Sequence, residues 1–188
     1  MSEWKSVKFA DARQVAELAG SRDLPEAGYG AADHYRALRA AGRHEDALLF
    51  IGHALPRLDV VSWAAQLLDD ESRRRPLDMA DRQALDRTLR WLGEPDDGAR
   101  RAAYDAALES DERAPERLLG FAVFFSGGSV SLVDLPPVLP PPEACARCAT
   151  GAVLLAAQRS GDVPAFLEHA LALAEAVATN GPEALQPA

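Results

Sequence analysis

The sequence predicts an all-α fold, a single compact multi-helix domain of eight or nine helices, and three observations carry that prediction. The apolar 48% of the 188 residues is mostly Ala and Leu, with only 6% aromatic residues and few β-branched ones. Ala and Leu lose little side-chain entropy in a helix, so this mixture favours helix over strand. Apolar residues recur at three- and four-residue spacing, and Gly, Pro and acidic residues separate the periodic stretches. No run alternates with period two for long enough to support a sheet.

The elements follow in order. A first helix is predicted from Asp11 to Ala19, stopped by Gly20 and followed by a loop with Pro25, Gly28 and Gly30. A second spans Ala31–Ala41 and ends at Gly42, and a third runs from Glu45 to Leu55. Pro56 turns the chain and opens a fourth helix, because its missing N–H costs nothing in a first turn. Leu58, Val60, Val61, Trp63, Ala64, Ala65, Leu67 and Leu68 cover most of that helix's circumference, which places it at the centre of the core. The fifth helix, Asp78–Leu92, is amphipathic, with Leu85, Leu89 and Leu92 inward and Arg82, Asp86 and Arg90 outward. The sixth, Asp97–Glu109, offers an alanine face (Ala99, Ala102, Ala103, Ala106, Ala107) that admits a close neighbour. The seventh runs from Pro115 to Phe125 and is ended by Ser126-Gly127-Gly128.

The stretch Ser129–Pro142, SVSLVDLPPVLPPP, breaks the pattern. Its five prolines fix an extended, polyproline-like path. The interleaved Leu132, Val133, Leu135, Val138 and Leu139 favour a strap laid over the domain's own helices, with docking into a partner's aromatic groove as the lesser alternative, and any apolar patch it leaves exposed is the best candidate partner surface. An eighth helix then runs from Pro142-Glu143 to Arg159 and a ninth from Pro164 to Thr179, leading into Asn180-Gly181. Residues 1–188 are read as one domain, with 1–10 and 181–188 as flexible tails; any helical-hairpin repeat is degenerate.

Charge restricts the function classes. A formal net charge of −9 and a pI near 4.9 disfavour nucleic acid, whose phosphates need clustered cations. The run Arg73-Arg74-Arg75 directly follows Asp69-Asp70-Glu71, so it reads as a solvated turn. No stretch approaches the length of a membrane span, and the N-terminus lacks the apolar core of an export signal, so a cytoplasmic protein is expected.

The motifs that could carry chemistry have simpler readings. Cys145-Ala-Arg-Cys148 has redox or zinc spacing, but two further metal ligands and a thioredoxin-like βαβ pattern are missing. Cys145, Cys148, Ala152 and Leu155 instead share helical core spacing, which predicts two buried structural thiols; redox use is the lesser alternative. His34, His44, His53 and His169 form no ligand pattern. His53, at a helix C-terminus that favours its proton, reads as a cap or a core hydrogen bond. Ser126-Gly127-Gly128-Ser129 follows a helix where a phosphate loop would lead into one, and the only lysines are Lys5 and Lys8. The carboxylates are expected on wet faces, with no pair marked for acid–base work. No catalytic residue, cofactor or metal is predicted.

The segments HALPRLDVVSWAAQLL (His53–Leu68), FFSGGSVSLVDLPPVLPPP (Phe124–Pro142) and GAVLLAA (Gly151–Ala157) resemble the hallmarks of an uncharacterised bacterial family of about this length. Its genes occur beside type VI secretion genes for VgrG spikes, PAAR tips and effectors. The resemblance covers roughly residues 45–175 and lends no catalytic residues; the cysteine pair is not part of its pattern. It implies a non-enzymatic adaptor or chaperone that binds an effector or a VgrG/PAAR-type spike component. An immunity-type or regulatory binding protein is the alternative. The candidate partner-binding residues are Ser126, Gly127, Gly128, Asp134, Leu135, Pro136 and Pro137, together with His53 and Arg57.

Overall fold

A computed structural model describes residues 4–132 and 134–185 and is all-α: α1 (Ala12–Ala19), α2 (Ala31–Ala40), α3 (His44–Ala54), α4 (Arg57–Ser72), α5 (Met79–Gly93), α6 (Asp97–Glu109), α7 (Pro115–Phe124), α8 (Ala144–Ser160) and α9 (Val163–Asn180). A short 3-10 turn, Pro182–Ala184, follows α9. The helix ends sit where the punctuation places them. Asp11 caps α1 by accepting from the Arg13 and Gln14 N–H groups, and Gly20 closes it in the left-handed conformation (φ 73°). Asp162 caps α9 through the Ala165 N–H. The one β-bridge among the described residues joins Asp11 to Gly30.

The core forms around α4, which packs against α5, α7, α8 and α9. Val60, Val61, Trp63, Ala64, Ala65, Leu67 and Leu68 are all buried, as the all-round apolar pattern requires, while Leu58 faces outward. Two buried aromatic side chains find polar partners on α9. The Trp63 indole N–H donates to the Ala170 carbonyl at 3.0 Å, and the Tyr35 hydroxyl donates to the Leu171 carbonyl at 2.9 Å. An indole or phenol can be buried only if its polar end is satisfied, so these bonds fix α9 against α2 and α4 as well as stabilising the pairing.

The small-residue face of α6 does what its composition predicts. Ala103 and Ala107 are fully buried against α7, which approaches at Gly120. A Cβ at Gly120 would lie 2.5 Å from the Ala107 Cβ and 2.9 Å from the Ala103 carbonyl oxygen. Gly120→Ala is therefore expected to lower stability by about 1–3 kcal/mol even though alanine gains roughly 1 kcal/mol of helix propensity. Urea denaturation checks this, and a stabilised variant would contradict the close approach.

The terminal segments depart from expectation. Residues 4–10 were expected to be a tail, but they dock. Trp4 is buried with its ring 5.2 Å from Tyr35, the Lys5 and Ser6 N–H groups both donate to the Ala178 carbonyl, and the Lys8 N–H donates to the Ala54 carbonyl. One large side chain and three backbone bonds suffice to anchor the segment, a signal that periodicity cannot register. Ala184 and Leu185 likewise pack on the core. Residues 1–3 and 186–188 of the expected tails lie outside the described residues.

Candidate functional site: an arginine-clamped apolar loop

The loop after α7 is held by three arginines that act on its backbone. Arg100 on α6, almost fully buried, donates to the Phe124 carbonyl at 2.7 Å and to the Ser129 carbonyl at 2.9 Å. Arg101 donates to the carbonyls of Ser129 and Ser131, each at 3.1 Å. Arg57, in the first turn of α4, donates to the Ser126 carbonyl at 3.2 Å. Asp97 locks the pair on α6 by accepting from Arg100 at 2.5 Å and from Arg101 at 2.9 Å; the two guanidiniums hold its carboxyl below the usual carboxylate range. The Arg100 guanidinium also lies 4.9 Å from the centre of the Phe124 ring, which stacks on Tyr104. Planar forks suit this task, because one guanidinium can serve two carbonyls and a carboxylate at once.

The glycines of Ser126-Gly127-Gly128-Ser129 have a second use beyond ending α7. Gly128 has φ 67°, and a Cβ there would lie 3.0 Å from an Arg100 nitrogen, so the turn provides both the left-handed step and the space for the clamp. Beyond it the loop closes on itself. The Val130 N–H donates to the Val138 carbonyl at 2.8 Å, the Val138 N–H to the Ser129 hydroxyl at 3.0 Å, and the Ser131 hydroxyl to the Pro136 carbonyl at 2.8 Å.

The expectation that this segment covers the domain's own helices is overturned. Leu132, Leu135, Val138 and Leu139 are 73%, 56%, 53% and 76% exposed. Of the five prolines only Pro140 is buried. The physical reason is that the arginines satisfy carbonyls at the base of the loop, and its internal hydrogen bonds then hold the tip away from the helices. Val133, expected to share in the covering, lies outside the described residues. Four large aliphatic side chains on one braced loop, with Asp134 as the one charge in 129–142, form the most conspicuous apolar projection among the described residues.

The candidate partner residues thus divide. Ser126, Gly127, Gly128, Asp134, Leu135, Pro136 and Pro137 lie in this loop, and Arg57 touches its base through Ser126. His53 does not belong with them: it is fully buried, its Nδ1 is 2.8 Å from the Leu49 carbonyl oxygen, and no partner can reach it. The helix-end argument for its proton also loses to burial, which lowers its pKa; the nearby charges of Lys8 and Arg147 act in the same direction. The folded state therefore disfavours the charged imidazole, against the Leu49 carbonyl bond and the Glu143 charge that favour it, whereas the unfolded chain titrates near the ordinary histidine value of 6.5. The unfolded state binds the extra proton, so stability falls as pH drops through about 6.5 and continues to fall until the lower folded value is passed. His53→Gln should flatten stability against pH in that window, as urea midpoints from pH 7.5 to 5 would report; an unchanged slope would contradict it.

The cysteines sit as their helical spacing predicts. Both are free, Cys145 buried and Cys148 partly so, within α8. Burial pushes the Cys145 thiol up to about 12 against the opposing charges of Arg57 and Lys8, and the Cys148 thiol up to about 11. Neither is poised as a thiolate at neutral pH. Among the described residues no cluster of His, Cys, Asp and Glu could hold a metal ion, and no helix is long and apolar enough to cross a membrane.

Sequence reasoning missed one cluster outright. Glu71 and Glu116 fall under the expectation of carboxylates on wet faces, but Glu116 is fully buried and Glu71 nearly so. The Arg159 fork reaches both Glu116 oxygens at 2.9 and 2.7 Å and Glu71 at 2.6 Å, tying α4, α7 and α8 together. The two clamp arginines on α6, Arg100 and Arg101, were also missed. An Asp-x-x-Arg-Arg run on α6 looks like ordinary helix-surface pairing, and only the tertiary fold reveals what the far side of each guanidinium holds.

The chain belongs to the family of unknown function DUF6931, whose model matches residues 34–178 and so includes the clamp, the loop and the Glu71–Arg159–Glu116 cluster. No curated protein and no solved structure matches it.

Proposed function

We propose that this member of the family is a non-enzymatic protein-interaction module that binds its partner through the clamped loop at 129–139. The observation that carries the reading is the combination of four exposed aliphatic side chains with three arginines spent on holding the base of the loop that carries them, at the carbonyls of residues 124–131. Exposing this much apolar surface in water is unfavourable, by roughly 1.5 kcal/mol or more for each large aliphatic side chain left unburied. Bracing it removes most of the ordering entropy that a flexible loop would lose on binding. A rigid apolar projection is therefore suited to enter a partner's hydrophobic groove.

The resemblance in His53–Leu68 and Phe124–Pro142 supplies the context: a cytoplasmic adaptor or chaperone that loads a type VI effector or a VgrG/PAAR-type spike component. The raised cysteine pKa values and the sealed position of His53 support a role without chemistry at those groups. Co-purification of the chain with the spike and effector proteins encoded beside it tests the proposal. The wild-type chain should retain one of them, and a variant with Leu132, Leu135, Val138 and Leu139 all changed to Ser should lose it. Failure to bind any of these proteins, or equal binding by the variant, would overturn the reading. Gene deletion separates the two binding roles: loss of secretion marks an adaptor, self-intoxication an immunity protein.

A further inference from the structure

The N-terminal segment from Trp4 to Ala10 has no regular structure and lies across the ends of three helices. The Lys5 and Ser6 N–H groups share the single carbonyl of Ala178 in the last turn of α9, and the Lys8 N–H takes the carbonyl of Ala54, the last residue of α3. At the start of α4 the Ser6 hydroxyl donates to Asp59 at 3.1 Å. Trp4 is buried, yet its indole N–H has no acceptor among the described residues, so lifting the segment into water would restore a hydrogen bond there. A strap whose amides compete for one oxygen and whose anchor leaves a donor unpaired is held less firmly than the helices beneath it.

His53 lies beside this strap, one residue before Ala54. Its Nδ1 is 2.8 Å from the Leu49 carbonyl oxygen, which can only accept, so Nδ1 carries the proton of the neutral ring and Nε2 carries the lone pair. Nε2 is sealed from water and has no hydrogen-bond partner among the described residues. A second proton must be added at that atom, where nothing accepts it. Of the charges that act on the ring, Lys8 of the strap and Arg147 of α8 oppose the proton and Glu143, just before α8, favours it. Arg57 of α4 and Cys145 of α8 stand around Lys8 in turn.

We propose that residues 4–10 form a pH-gated cover: adding a proton to His53 at Nε2 requires the strap to lift, which uncovers the Tyr35 ring and the carbonyl ends of α3 and α9. The sign follows from the two states. Burial, more than any charge, holds His53 below its ordinary value of 6.5 under the closed strap, and the ring regains that value when the strap opens. The open state therefore binds the extra proton and gains as pH falls through 6.5. Asp59 acts the other way, because burial raises its carboxyl against the Ser6 bond and its protonation favours closure; it starts from a lower ordinary value, 3.8, so His53 responds first. The cover is independent of the loop at 129–139 and does not rest on the role given to it.

Amide hydrogen exchange of the full chain, followed by NMR and corrected for the intrinsic pH dependence of exchange, tests this. Protection of the Lys5, Ser6 and Lys8 amides should fall about tenfold between pH 7.5 and 5.5 while remaining below that of the Val61 and Leu67 amides in α4 at every pH. His53→Gln should abolish the fall. The imidazole nitrogen signals of the wild-type chain give a check that needs no variant: Nε2 should remain mostly unprotonated at pH 6.5. Strap protection that is flat with pH, an equal fall in the His53→Gln chain, strap amides that exchange only together with the α4 core, or an Nε2 that protonates while the strap stays protected would each overturn the proposal.

Discussion

Replacing Arg159 with Ala should destabilise the protein by about 3–5 kcal/mol, because it strands two buried carboxylates. Glu116 is fully buried and Glu71 6% exposed, so neither can recover hydration without opening the junction of α4, α7 and α8. The whole cluster differs from the broken one: replacing all three residues by apolar ones of similar volume should cost little, since the desolvation of the charges disappears along with their attraction. Arg159→Lys should fall between, because an ammonium cannot make the two parallel bonds to Glu116 together with a third to Glu71. Urea denaturation of the three variants checks the order. A loss below about 1 kcal/mol for Arg159→Ala would mean that the cluster is solvated.

Arg100→Ala is the second large effect expected, about 2–4 kcal/mol, and its consequence is local as well as global. The Phe124 carbonyl loses its guanidinium partner, the Ser129 carbonyl retains only Arg101, and Asp97 loses one of its two cations. With its base released, the loop should fluctuate, and the Val130 and Val138 amides, which are hydrogen-bonded inside it, should exchange faster in deuterated solvent. Arg101→Ala, at a more exposed site, should shift stability less and loosen the same amides. Unchanged exchange in the Arg100 variant would show that the loop holds its own shape and that the clamp is incidental.

The helices were legible because their ends are marked by residues with one dominant use: Gly20 and Gly42 in the left-handed conformation, Pro56 at a bend, and Asp162 as a cap. The central place of α4 was legible because Val60 to Leu68 leave no polar face. The buried charges were not legible, because each has a sufficient local explanation. Glu116 follows Pro115 in a first helical turn and Arg159 stands in a last one, where the helix dipole favours both. Nothing in the sequence distinguishes such a residue from one that also meets a partner from another helix. The loop misled for a related reason. Alternating apolar residues normally imply burial, but its prolines lack donors and its carbonyls are satisfied at the base by Arg100 and Arg101. The tip can then stay in solvent without leaving buried polar groups unpaired, and only its backbone geometry discloses this.

The claim that the projecting loop is the binding surface is tested most directly by amide hydrogen exchange on the chain alone and in complex with the protein it retains. The account predicts protection concentrated on the loop amides and on the α6 turn that carries Arg100 and Arg101, with the rest of the surface unchanged. Protection confined to other helices, with Val130 and Val138 exchanging as in the free chain, would contradict it.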